Sequence, residues 1–118
     1  MNTKSKNIIG NSINYILSGV LIISGTLKLV GFEPYMEVIK GLSPYYYENI
    51  YLIGLAAIIS GILFAIPRTF VFGFIATLAF LGGTISAHMQ AGDNFILQII
   101  FVLLTAITAY LKRPDWFK

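Results

Sequence analysis

The chain has 118 residues, 57% of them hydrophobic and 11% charged, against roughly 25% charged in an average soluble domain. So short a chain buries proportionally little of its surface, so this apolar content exceeds what a small water-soluble globule can hide. The formal net charge of +3 sits at the ends of apolar runs, which points to a membrane-topology signal rather than a nucleic-acid-binding face, and the lack of cysteine excludes disulfides and thiolate ligands within the chain.

Residues 1–7 read as a short polar tail carrying Lys4 and Lys6. An apolar run follows from Ile8 to Val30. It exceeds the ~7–15 residues of a secretory signal core and no A-x-A site follows it, so a retained first span is expected. Lys28 lies near its far end, and Gly31 is the expected left-handed residue beyond it. Residues 31–47 form a connection punctuated by Pro34, Gly41 and Pro44. Within it, one or two helical turns are predicted over Tyr35–Lys40, with Pro34 at the first position and Gly41 past the end. Tyr45, Tyr46 and Tyr47 then form an aromatic cluster of the kind found at headgroup level.

From Ile50 to Met89 two uncharged apolar runs are separated only by Pro67-Arg68-Thr69. At ~1.5 Å per residue each is about long enough to cross a ~30 Å hydrocarbon layer. Lipid offers backbone groups no hydrogen bonds, so each must be a helix, and the short connection makes them antiparallel neighbours. Ala91-Gly92-Asp93-Asn94 is a turn. Phe95–Leu111 is a fourth apolar helix stopped by Lys112-Arg113-Pro114, with Trp116 and Phe117 as interfacial anchors. The prediction is a single all-α domain, an integral membrane four-helix bundle of up-down-up-down topology, with spans at about 8–30, 48–66, 70–90 and 95–112. Six of the eight cationic side chains (Lys4, Lys6, Arg68, Lys112, Arg113 and Lys118) fall on the side of the N-terminus. Both termini are therefore expected in the cytoplasm and the protein in the inner membrane, with Arg68, Lys112 and Arg113 as topology anchors.

Close helix contact in lipid depends on small residues. Gly54, Ala57, Gly61 and Ala65 lie on one face of the second span; Gly73, Thr77 and Thr84 lie on a similar stripe of the third. These faces are expected to point inward. Six polar residues, Lys28, Glu48, Asn49, His88, Gln90 and Gln98, fall toward the extracytoplasmic side. His88 continues the Thr77/Thr84 stripe, and Gln98 shares a face with Thr105. A polar pocket in the outer half of the bundle is therefore expected, with Lys28, Thr84, His88 and Gln98 as ligand-binding candidates. One His without Cys cannot build a four-ligand zinc site, and no metal site is expected. A bis-His haem cannot form within one chain; axial ligation by His88 alone, or by a pair from two protomers, stays open. No nucleotide-binding loop or catalytic triad is present.

Several short segments together resemble the DoxX-like family of small four-helix membrane proteins. They are Ser24-Gly25-Thr26-Leu27-Lys28-Leu29, Gly41-Leu42-Ser43-Pro44, Leu52-Ile53-Gly54-Leu55, Ile66-Pro67-Arg68-Thr69, Ala87-His88 and Lys112-Arg113-Pro114. The resemblance implies an integral membrane protein, some of whose relatives look like subunits of quinone-linked sulfur oxidoreductases while others associate with redox-defence enzymes. It carries over Lys28 and His88. It departs at Leu55-Ala56-Ala57, where many relatives have a Glu, so a buried carboxylate for proton handling is missing. The expected function is an accessory subunit supporting quinone-linked or other membrane redox chemistry with a protein partner or as a homo-oligomer, with a quinone as the ligand. A non-catalytic scaffold or assembly protein is the alternative, and a small-solute transporter a third, disfavoured by the lack of mid-span charges.

Overall fold

The computed structural model describes residues 2–41 and 44–117, without the side chains of Tyr35, Pro44 and Tyr46. Leu42, Ser43 and Lys118, used above for the resemblance and the charge count, lie outside it. The described residues are helical, with no strand among them. The α-helices are α1 (Thr3–Val30), α2 (Glu33–Lys40), α3 (Pro44–Glu48), α4 (Ile50–Ala65), α5 (Phe70–Ala91) and α6 (Ile96–Lys112), with 3₁₀ turns at Pro67–Thr69 and Pro114–Phe117.

Several boundaries differ from the sequence reading, each for a local reason. The first helix begins within the expected tail, because the Asn2 side chain accepts a hydrogen bond from the Ser5 N–H at 2.8 Å and caps the helix at Thr3. It ends where Gly31 turns left-handed at φ 69° and its N–H donates to the Leu27 carbonyl. α2 starts at Glu33, so Pro34 is its second residue, and Gly41 beyond it stays right-handed. α3, not expected, places a further turn of helix ahead of the second span.

α4 and α6 have 16 and 17 residues, about 24 and 26 Å of helix at ~1.5 Å per residue. That is shorter than the full crossing expected of the second span. Asn49 breaks the helical geometry at one end of α4, and Pro67 holds Ile66 extended at the other. The Thr69 hydroxyl then donates to the freed Leu63 carbonyl at 2.8 Å. Two helical stretches, Thr3–Val30 and Pro67–Ala91, are long and apolar enough to cross a membrane, and α4 and α6 are shorter apolar helices.

The four longer helices pack in the cyclic order α1, α4, α5, α6, each touching the next and α6 touching α1. Small residues set the closest approaches. Gly25 of α1 lies against Gly54 and Ala57 of α4, and Gly61 of α4 lies against Ser18 and Leu21 of α1. Gly73 of α5 abuts the backbone of Leu63 and Phe64, and Gly10 of α1 meets Leu111 and Lys112 of α6. The start of each helix thus meets the end of its neighbour, so adjacent helices run antiparallel. The small-residue face of α4 meets α1, while α5 contributes Gly73 and the buried Thr77 to the interior.

The interior is uneven along its length. At the end holding the α4–α5 turn, Leu17, Phe64 and Phe70 form a buried cluster. Phe64 stacks on Phe70 at 5.1 Å, and Trp116 stacks on Phe70 at 5.7 Å. Trp116, expected as an interfacial anchor, is folded back by the Pro114–Phe117 turn and is half-buried on this cluster. Phe117 remains exposed. The opposite end is hollow.

Candidate functional site

The turn after α5 holds its last residues beside the start of α6. Gly92 adopts φ 74°, the Asp93 N–H donates to the His88 carbonyl at 2.9 Å, and the Asn94 side chain accepts from the Ile96 N–H at 2.8 Å. His88 and Gln98 are thereby brought together, with the Gln98 amide nitrogen 3.3 Å from His88 Nε2. The other polar atoms of the pair, His88 Nδ1 and Gln98 Oε1, are buried and have no hydrogen-bond partner among the described residues.

Beside this pair lies a cavity of about 480 Å³ between α1, α5 and α6, with α2 across it. That is the size of a small-molecule pocket, typically ~300–1,000 Å³. Val20, Leu21, Ile23 and Leu27 of α1 form one wall, and Phe80, Leu81, Leu97 and Phe101 of α5 and α6 form the other. Val38 and Ile39 of α2 close the end. Val20, Ile23 and Leu97 are also exposed, so the cavity reaches the side of the molecule between α1 and α6. Its polar lining residues are Ser24, Thr84, His88 and Gln98. The Thr84 hydroxyl donates to the Leu81 carbonyl at 2.8 Å, which leaves its oxygen as an acceptor. The result is an apolar chamber with polar groups concentrated where α5 ends and α6 begins.

Lys28 is buried at 2% exposure but is not part of the lining. Its ammonium donates to Ser24 Oγ at 2.8 Å and lies 5.9 Å from the centroid of the Phe80 ring. Ser24 and Phe80 both line the cavity, so Lys28 sits behind the wall. The other polar residues expected in one pocket do not converge there. Glu48 is exposed. Asn49 donates to the Tyr45 carbonyl and Gln90 to Ser86 Oγ, and both border a separate hollow of about 250 Å³ between α4 and α5. Helix-end polarity reads depth but not direction around the axis, so depth alone does not separate the six. Thr105 shares Gln98's helix but is spent on the Phe101 carbonyl at 2.7 Å.

Of the residues expected as topology anchors, Arg68 is exposed. The Lys112 ammonium stands 4.8 Å from the Phe70 ring centroid and the Arg113 guanidinium 4.9 Å from that of Trp116. Among the described residues no three His, Asp or Glu side chains gather as a metal site.

Sequence reasoning missed Ser24, Phe80 and the α2 residues Val38 and Ile39. Ser24 was findable, being one helical turn before Lys28. Asn14, fully buried in α1 with its Nδ2 unpartnered among the described residues, was also missed; nothing in the sequence sets it apart from its polar neighbours Asn11 and Ser12. No family model, curated protein or solved structure matches the chain.

Proposed function

We propose that the protein is a DoxX-like, four-span inner-membrane protein that holds a quinone-like amphiphile and serves as an accessory subunit to membrane redox chemistry carried out with a partner. The single observation carrying the ligand reading is the half-buried His88–Gln98 pair, with its buried and unpartnered Nδ1 and Oε1, at one end of an otherwise apolar cavity. An isoprenoid or alkyl tail would occupy the chamber between α1 and α6, and the head would sit against His88, Gln98 and Thr84. Lys28 would act indirectly, fixing Ser24 in the wall. The side opening suits a ligand that arrives from the bilayer.

The membrane reading is supported by the apolar outer surface. Leu52, Leu55, Ile59 and Ile62 of α4 are exposed, as are Phe72 and Ile75 of α5 and Leu103 and Ile107 of α6. Such breadth of exposed apolar side chain exceeds what soluble monomers present. The charge distribution supports cytoplasmic termini, and the segments quoted above support the family.

The test is to purify the protein in mild detergent or native nanodiscs and extract bound lipids for mass spectrometry. A quinone-like molecule near one per chain, lost in His88→Ala, is the expected result. Its absence from the wild type, together with a stable partner that survives His88→Ala, would favour the scaffold reading instead.

A further inference from the structure

The hydrogen-bonding arithmetic of the His88–Gln98 pair says more about the ligand than its size does. A neutral imidazole carries one N–H and one lone-pair nitrogen, and a carboxamide carries one acceptor oxygen and an NH₂ donor. With the amide nitrogen facing His88 Nε2 at 3.3 Å, the ring accepts there. Nδ1 is then a donor and Gln98 Oε1 an unmet acceptor. Turning the amide over, a choice hydrogen-bond networks must decide, makes Nε2–H the donor to Oε1. Nδ1 then becomes the unmet acceptor. In either arrangement one buried acceptor of the pair is left over, and donors are left over as well. Thr84, one turn from His88 on α5, adds another acceptor, since its own hydrogen goes to the Leu81 carbonyl.

This polar end therefore needs a hydrogen from its ligand. A ketone or quinone carbonyl only accepts, so it satisfies a donor and leaves the acceptor bare; carboxylate and phosphate heads share that defect. A hydroxyl accepts and donates at once. Leaving a buried acceptor unmet has a substantial cost, while meeting it does not.

We infer that the cavity takes a hydroxyl-headed amphiphile, its hydroxyl donating to one member of the His88–Gln98 pair and accepting from the other, and that it binds a quinol in preference to the quinone of the same tail. This rests on the amphiphile-binding reading above and adds to it a choice between redox states. A subunit with that preference retains the reduced carrier and releases the oxidised one.

The experiment uses the full chain in nanodiscs, stripped of endogenous ligand, titrated calorimetrically under anaerobic conditions with a decyl-tailed benzoquinol and with the benzoquinone of the same tail. Uptake by protein-free nanodiscs is subtracted. The expected result is about tenfold tighter binding of the quinol, the ratio that follows from one unmet buried acceptor. His88→Phe combined with Gln98→Leu, which removes both members of the pair and with them the unmet acceptor, brings the two affinities to within about twofold with helical content unchanged; His88→Leu with Gln98→Met replaces it should the first fail to fold. Equal or tighter binding of the quinone by the wild type overturns the hydroxyl preference and leaves the cavity reading standing. So does a preference that survives loss of both side chains of the pair. Binding of neither probe overturns both.

Discussion

Phe64 and His88 occupy opposite ends of the same interior and have opposite consequences. Phe64 is completely buried and stacked on Phe70. Phe64→Ala should destabilise the protein by about 3–5 kcal/mol, the usual range for emptying an aromatic core site, read as a lowered thermal midpoint in micelles. His88 borders a space that is already open, so His88→Ala should leave the midpoint within a few degrees while weakening amphiphile binding by about tenfold or more, the scale of losing charge-free hydrogen bonds in a buried site. Lys28 separates the two kinds of role. Its ammonium reaches Ser24 and the Phe80 ring rather than the cavity, so Lys28→Met, which keeps most of the stem's packing, should change amphiphile affinity less than His88→Ala does. Equal losses in the two variants would place Lys28 at the head group itself. At this scale the sequence shows which polar residues share a depth. It does not show that Lys28 bonds Ser24 behind the cavity wall, nor that Asn49 and Gln90 border a different hollow, because a helix that is apolar on nearly every side gives no orienting stripe.

The elements were legible where a residue with a specific backbone effect marks them. Pro67 and Pro114, which cannot continue a helix, and Gly31 and Gly92, which adopt positive φ for want of a Cβ, mark helix ends residue by residue. Asn2 was overlooked as a cap because polarity alone made residues 1–7 look like a tail. The part α2 plays in the cavity was not legible: its approximate bounds follow from Pro34 and Gly41, but Val38 and Ile39 line the cavity only because α2 folds back beside α1. Helix contact was readable through small residues, although not which neighbour each one meets. The contrast between two glycines of α5 tests this packing. A methyl at Gly73 would overlap the backbone of Leu63 and Phe64, whereas at Gly82 it meets nothing. Gly73→Ala should cost ~1–3 kcal/mol through overpacking. Gly82→Ala should be neutral or stabilising by up to ~1 kcal/mol, the helix-propensity difference. Thermal unfolding of the two variants in the same detergent makes the comparison, and equal midpoints would contradict the α4–α5 contact.

The whole molecule measures 46 × 26 × 20 Å, and its long dimension matches a bilayer of ~40–45 Å including headgroups. The shorter α4 and α6 would be accommodated by tilt or local thinning at modest cost. The proposed membrane topology is directly testable because the chain has no cysteine. A membrane-impermeant maleimide applied to intact cells should label Asp93→Cys and leave Ser5→Cys unlabelled until the cells are opened, and the reverse pattern would contradict the proposed orientation. Aromatic packing fills one end and a chamber lies at the other, and the proposed function rests on that chamber taking a ligand with an apolar tail and a polar head. Mass spectrometry of the lipid extract from wild-type protein and from a His88→Ala, Gln98→Leu double variant, both verified as folded by circular dichroism, tests that property most directly. The account predicts an amphiphile near one per chain that is specific to the wild type; an extract of bulk phospholipid alone, identical in the two proteins, would contradict it.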